Sequence, residues 1–360
     1  MIYKLILTFR DLHYKGGKHS TKADVPTICV GNISTGGTGK TPHTELILRE
    51  LLSDGRYSSP AVLSRGYKRK SRGFRIVEPE GPATLYGDEP LQIKRTFPAV
   101  TVAVDKDRVR ACRLLSDPSR TAEIKKYQGP EFPASDIIVL DDAFQYRKLK
   151  ADLDIVLTAY PHPVTTDKLM PAGHLRDLKK RLYTADAVVV SKCPYVLNDS
   201  EKEEHAKLLG FDSYDPATCV ATKGGRSLKL LFSHTVYGRP EPVFPEGDPR
   251  YIYSSKIVLV SGIADDTPLR NYLSDKYKIV AHLKFPDHHT FSSADLRSFS
   301  GTLRHNPTAT FITTRKDATR LQDIKDFPAQ LKDRFFYIPI TAEMLCEGEQ
   351  KVFDNLILNI

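Results

Sequence analysis

Residues 34–41 read STGGTGKT. Glycines followed at once by a lysine and a threonine are the parts of a phosphate cradle. Gly36, Gly37 and Gly39 let the backbone turn tightly with its N–H groups aimed inward, and Thr38 lies among them. Lys40 can reach the β- and γ-phosphates of a nucleotide, and the Thr41 hydroxyl can bind the accompanying Mg²⁺. The strict loop pattern, G-x-x-x-x-G-K-[ST], has glycine where Ser34 stands here. Context supports the loop all the same. An apolar strand, VPTICV (25–30), precedes it, and a helix beginning at 41–42 follows. The positive end of that helix faces the phosphates. Pro42 falls in its first turn, where a missing N–H costs little, and Ile47, Leu48, Leu51 and Leu52 give it a core face.

A nucleotide-bound Mg²⁺ needs carboxylates, and the stretch SDIIVLDDAFQ (135–145) offers them: an apolar strand runs into Asp141 and Asp142. That is where a metal-binding acid belongs at the carboxyl edge of a parallel sheet. An acceptor base for phosphoryl transfer has two sources. YGDEP (86–90), read as a loop, carries Asp88 and Glu89, and FPDHHTF (285–291) carries Asp287, His288 and His289. A histidine beside a carboxylate can orient it and share the proton it takes from a hydroxyl. PAGHLRD (171–177) supplies a glycine hinge and Arg176, which can neutralise charge on a moving phosphoryl group.

The elements that must position these groups alternate between short β-branched strands and helical patterns. Strands are expected at 25–30, 60–63, 100–104, 136–140, 153–157 and 186–190, and again at 256–260, 277–283, 309–313 and 335–339. Near-continuous apolar strands separated by helices indicate a mostly parallel sheet covered on both faces. Between the two sets, YGRPEPVFPEGDPR (237–250) holds four prolines and cannot be a central strand or a helix. The fold class expected is α/β: a P-loop NTPase-like, mostly parallel sheet domain plus a second, smaller α/β domain. The units are a basic N-terminal segment at 1–24, a kinase-type domain at 25–236, a proline-rich linker at 237–254 and a C-terminal α/β domain at 255–360.

With 360 residues the chain is long enough for two cores. Its formal charge of +9 suits an acidic partner: nucleic acid, an anionic membrane or a phosphorylated substrate. No nucleic-acid recognition motif is present. Five scattered cysteines, an odd number without paired spacing, argue against a disulfide framework or a zinc site and fit a reducing cytoplasm. No apolar run reaches the roughly 20 residues that span a bilayer. The N-terminal stretch places Ile2, Leu5, Ile6, Phe9 and Leu12 at helical spacing, and Lys4, Arg10, Lys15, Lys18 and Lys22 outweigh Asp11. Such a basic amphipathic helix can lie in a membrane interface or dock on the core. The basic run YKRKSRGFR (67–75) is a solvated loop or a contact to lipid phosphate.

Together these segments resemble the tetraacyldisaccharide 4′-kinases of bacterial lipid A biosynthesis. The resemblance rests on VPTICVGNISTGGTGKTP, LSRGYKRK (63–70), GDEP, LDDAFQYRKLKADLDIVL (140–157), LMPAGHLRD, FPDHHTF and TTRKDATRL (313–321), in that order. It implies transfer of the ATP γ-phosphate to the 4′-hydroxyl of a lipid A disaccharide 1-phosphate precursor. The enzyme would be peripheral, on the anionic cytoplasmic face of the inner membrane, without an obligate protein partner. ATP and Mg²⁺ would be the cofactors, with the active site in a cleft between two α/β domains. By position, Asp88 matches the catalytic aspartate and His288 its partner histidine; Lys40, Thr41 and Arg176 match active-site residues; Glu89, Asp141 and Asp142 fall at acidic positions around metal and phosphates. Two positions depart from the family's pattern, Asp177 and Arg315, where glutamate is common, and the second segment receives no role. The resemblance also implies a longer apolar segment before FRDLHYKGG, so the start is trimmed or its membrane contact relies more on charge. The alternative is a P-loop ATPase or GTPase switch acting on a membrane or protein partner. Lysine just before the two glycines marks one branch of that class, and Thr35 stands there instead. VVVSKCP (188–194) is the candidate region for contacting the base.

Overall fold

A computed structural model describes residues 2–124, 127 and 129–360. Met1, part of the N-terminal segment read above, lies outside the described residues. Two sheets organise the chain. The larger has seven parallel strands in the order Thr101–Val104, Pro60–Ser64, Ile137–Asp141, Thr27–Asn32, Leu153–Ala159, Ala187–Ser191 and Arg226–Tyr237. The strand leading into the glycine loop is central, between those that end in Asp141 and Ala159. Every residue of Thr27–Asn32, Pro60–Ser64, Ile137–Asp141 and Ala187–Ser191 is buried, as strands covered on both faces require. Adjacent central strands end together, so their carboxyl edge gathers the loops that carry the chemistry.

The second sheet has four parallel strands, in the order Phe335–Ile338, Thr310–Thr314, Lys256–Ser261 and Lys278–Lys284. Its core is rich in phenylalanine: Phe299, Phe311 and Phe335 are fully buried and their rings pack within 6.2 Å of one another. All ten strands expected from the sequence are present.

Four readings change. The longest strand, Arg226–Tyr237, was not expected, because its pattern mixes polar and apolar positions. The chain beyond 339 was assigned to the second domain. Strand Ile340–Met344 instead pairs antiparallel with Arg226–Tyr237 in the first sheet, and Phe353 and Ile357 of helix Glu347–Leu358 join the core around Ile28 and Ile47. The proline-rich 237–254 stretch is not a free tether. Glu241–Pro242 pairs with Phe335–Ile338 at the edge of the second sheet, where a proline is tolerated, and Val243 and Phe244 are buried under it. Leu52, expected on the core face of its helix, is 42% exposed, and Leu46 takes that place.

Candidate active site

The glycine loop leaves the central strand at Asn32 and returns into helix Lys40–Asp54. Gly36 and Gly39 have φ of 105° and 81°, a region that side chains rarely adopt. Two contacts stiffen the turn from inside. Asn32 Nδ2 donates to Thr38 Oγ1 at 2.8 Å, and the Ser191 hydroxyl donates to the Thr38 carbonyl at 2.8 Å. His43 lies against Gly39, its Nδ1 2.7 Å from the Gly39 carbonyl and its Nε2 2.9 Å from Ser233 Oγ. From outside, segment 174–176 is laid along the loop: Thr35 N–H donates to the His174 carbonyl at 2.7 Å, and Arg176 N–H to the Ile33 carbonyl at 2.9 Å. This brings Arg176 from a distant part of the chain to the phosphate loop.

At the tip of strand Ile137–Asp141 the two aspartates have different surroundings. Asp142 faces cations: Arg176 Nη1 donates to it at 3.1 Å, and Lys40 Nζ is 3.9 Å away. Burial alone would raise its carboxyl, but Lys40 and Arg176 outweigh that and hold it below the usual range. Asp141 is 1% exposed, accepts one hydrogen bond from Ser64 Oγ at 3.0 Å, and leaves Oδ1 buried without a partner. Burial, then the charges of Glu89 and Asp142, push it up to about 7. A buried, unpartnered carboxylate oxygen beside a second acid has the chemistry to receive a cation. Among the described residues no three His, Cys, Asp or Glu side chains form a cage of their own. Mg²⁺ is one such cation: it takes one or two carboxylates and draws its other ligands from phosphates and water.

Asp88 opens helix Asp88–Thr96, in contrast to the loop read from sequence. Gly87 before it has φ 97° and ψ 151°, a glycine-only conformation, and a Cβ there would come within 3.1 Å of the Tyr67 carbonyl. His288 comes from the second sheet's side, 200 positions away in sequence, and its Nδ1 is 2.9 Å from Asp88 Oδ2. Its φ of 62° is left-handed, as is the 50° of Asp142. Strained backbone of this kind, costing on the order of 1–3 kcal/mol, collects where side chains must be aimed. Lys316 Nζ stands 3.2 Å from His288 Nε2, so the imidazole accepts there and carries its proton on Nδ1, toward Asp88. Tyr67 packs edge-on against the ring, with centroids 5.6 Å apart. Burial alone would raise Asp88; hydrogen bonds from His288 and Arg320 outweigh it and hold the carboxyl down at about 2.

The expected site residues thus gather at the carboxyl edge of the first sheet and at the face of the second lobe turned toward it. His289 does not join them; it pairs with Asp295 at 3.0 Å. Asp177 turns away and accepts from Arg10 of the N-terminal helix at 3.2 Å. Arg315 binds Glu45 at 3.2 Å, across the lobes. Three residues at the site received no role in the sequence reading. Lys316 and Arg320 come from TTRKDATRL, whose signal was a cationic helix start directly after a strand of the second sheet. Arg108, 4% exposed, stacks over Tyr146 at 5.1 Å and feels the charges of Asp141 and Asp142, with Nε unpartnered.

The family model described as tetraacyldisaccharide-1-P 4′-kinase matches residues 1–360. The chain is 37% identical to the tetraacyldisaccharide 4′-kinase of Parabacteroides distasonis, over 93% of this chain and 85% of that protein. It is 36% identical to that of Flavobacterium johnsoniae, over 99% of this chain and 94% of that one. A crystal structure of LpxK from Aquifex aeolicus, in complex with ATP, superposes with a TM-score of 0.68 at 27% identity, covering 99% of this chain and 96% of the other.

Proposed function

The chain belongs to the tetraacyldisaccharide-1-P 4′-kinase family, and we infer from that membership that it is an ATP-dependent kinase phosphorylating the 4′-hydroxyl of a lipid A disaccharide 1-phosphate precursor. A P-loop switch is not favoured: the match spans the whole chain, second lobe included, and a switch gives His288 no task. The observation that carries the reading at the site is the contact of Asp88, from the phosphate-loop lobe, with His288, from the other.

In the mechanism we propose, the backbone of Gly36, Gly37, Thr38 and Gly39 binds the triphosphate and Lys40 neutralises its outer charge. Thr41, Asp141 and Glu89 would hold Mg²⁺, which when bound offsets charge on the phosphate oxygens; the unpartnered Asp141 Oδ1 favours this set. Asp142, held by Lys40 and Arg176, reads better as a brace for those two cations than as a direct ligand. Arg176 then lies ready for charge spreading on the transferred group. Asp88 receives the acceptor hydroxyl. A carboxylate held near 2 is a weak base, so its larger contribution is to align the attacking oxygen and take the proton late.

The acceptor is a lipid, which requires membrane contact. Helix Ile2–His13 supports this: Ile2, Leu5, Ile6, Phe9 and Leu12 are each more than half exposed, while Leu7 is buried and Tyr3 Oη donates to the Arg176 carbonyl at 2.8 Å. The helix is docked on one side and leaves an apolar face outward, as an interfacial helix does. Among the described residues no helix is long and apolar enough to cross a membrane. We place the enzyme at an anionic inner-membrane face, on its cytoplasmic side. The test is incubation with γ-labelled ATP and a tetraacyldisaccharide 1-phosphate: label should enter the lipid. Label appearing only as inorganic phosphate, whatever the acceptor, would support a switch instead.

A further inference from the structure

Arg320 is 8% exposed and makes its contacts on both sides of the cleft. On its own lobe, Nη1 donates to the Gly262 carbonyl at 3.1 Å and to Asp317 Oδ1 at 2.8 Å. Across the cleft, Nε and Nη2 donate to Asp88 Oδ2 at 2.9 and 2.6 Å. His288 Nδ1 reaches the same oxygen at 2.9 Å. One carboxylate oxygen therefore receives three donors. Among the described residues no hydrogen bond reaches Asp88 Oδ1.

We propose that Arg320 is a positioning residue for the phosphoryl transfer: it clamps Asp88 Oδ2 from the opposite lobe, so that Oδ1 is presented to the acceptor hydroxyl only when the lobes are together. This rests on the reading of Asp88 as the residue that receives that hydroxyl. The physical case is the division of labour between the two oxygens. A carboxylate with both oxygens free rotates about its terminal torsion, which is broad. Three donors on Oδ2 fix the plane, and Oδ1 is what remains. The guanidinium is suited to this because its planar fork keeps two donors on Asp88 and a third on its own lobe. A lysine would supply charge without the fork. Asp317 holds the far side of the guanidinium and itself receives the Gly262 N–H at 2.9 Å, so the clamp is built on buried, hydrogen-bonded groups. Among the described residues no hydrogen bond or ion pair links Arg320 to the phosphate loop, so its effect falls on catalysis and not on ATP binding.

A double-mutant cycle on the full-length enzyme tests this, with R320Q, D88N and the pair assayed by single-turnover label transfer. R320Q is expected to lower the rate by about 10- to 10²-fold, as a misplaced reacting group does, with KM for ATP unchanged. In the D88N background the same substitution should cost nothing further, because there is no longer a carboxylate to aim. R320K should recover part of the loss. If R320Q does not fold, as judged by its thermal melt, R320K in both backgrounds supplies the same cycle. An equal loss with and without Asp88, or no loss at all, overturns the positioning role. Full activity in D88N alone would instead sink the reading of Asp88 on which it rests, and the two failures are distinct.

Discussion

At the scale of single residues, the two aspartates at the tip of strand Ile137–Asp141 show how burial and neighbours separate identical side chains. Asp142 is held ionised by two cations, whereas Asp141 has one hydroxyl donor and an idle oxygen. Asp88 is the residue proposed to receive the acceptor hydroxyl. D88N is expected to lower turnover by about 10²- to 10⁴-fold in steady-state label transfer, while ATP still binds. A residue remote from the reaction gives a stability prediction. His205 is buried against Tyr160, with ring centroids 4.5 Å apart and Nε2 unpartnered. Burial pulls it down to about 4 from an unfolded value near 6.5. A depressed histidine favours the fold while neutral, so this contribution is present above about pH 6.5 and is lost as pH falls toward 4. Denaturant melts at pH 7.5 and 5 should show a stability drop that shrinks in H205Q. The phosphate loop and the acidic strand tip were legible in the sequence because their chemistry is local. The role of Arg320 was not: of its partners, Asp88 and Gly262 are 232 and 58 positions away.

Among the elements, helix Ile2–His13 ties the proposed membrane face to the reaction centre. It rests on segment 169–178 through Tyr3 and Arg10, and that segment lies along the phosphate loop. The amphipathic period was visible in the sequence, but the choice between docking and membrane contact was not. The structure docks one side of the helix through Tyr3 and Arg10 and leaves the opposite side exposed, Phe9 at 70%. Ile6→Ser with Phe9→Ser should weaken binding to anionic vesicles by about tenfold for each residue, while label transfer to detergent-solubilised lipid acceptor stays unchanged. Unaltered vesicle sedimentation would remove this helix from the membrane contact. Of the five positive charges counted here, Arg10 and Lys22 are committed to Asp177 and Asp152, so fewer remain for lipid. In the 67–75 run, Arg69 is likewise turned inward, donating to the Gly73 carbonyl at 2.7 Å.

For the whole molecule, the lobes meet through polar contacts. Arg95 pairs with Asp323 at 3.2 Å, Arg315 with Glu45 at 3.2 Å, and the Ala83 N–H donates to Asp323 at 2.6 Å. Polar interfaces of this kind open and close more readily than apolar ones, which suits a cleft that admits a nucleotide and a lipid. Both parallel sheets were readable from the runs of β-branched residues. The return of 340–360 to the first lobe was not, because Phe353 and Ile357 mark a helix with a core face without saying which core. Phe353→Ala should therefore destabilise the first lobe, by about 3–5 kcal/mol, and lower ATP affinity near the melting temperature. The central claim is that Lys40 and Thr41 grip the triphosphate opposite Asp141, with Asp88 on the same lobe and His288 across the gap. A crystal structure with a non-hydrolysable ATP analogue and Mg²⁺ measures this most directly. The analogue's γ-phosphate should sit on the glycine loop with the metal at Asp141 and the open oxygen of Asp88 facing it; an empty loop with the nucleotide bound elsewhere would contradict the account.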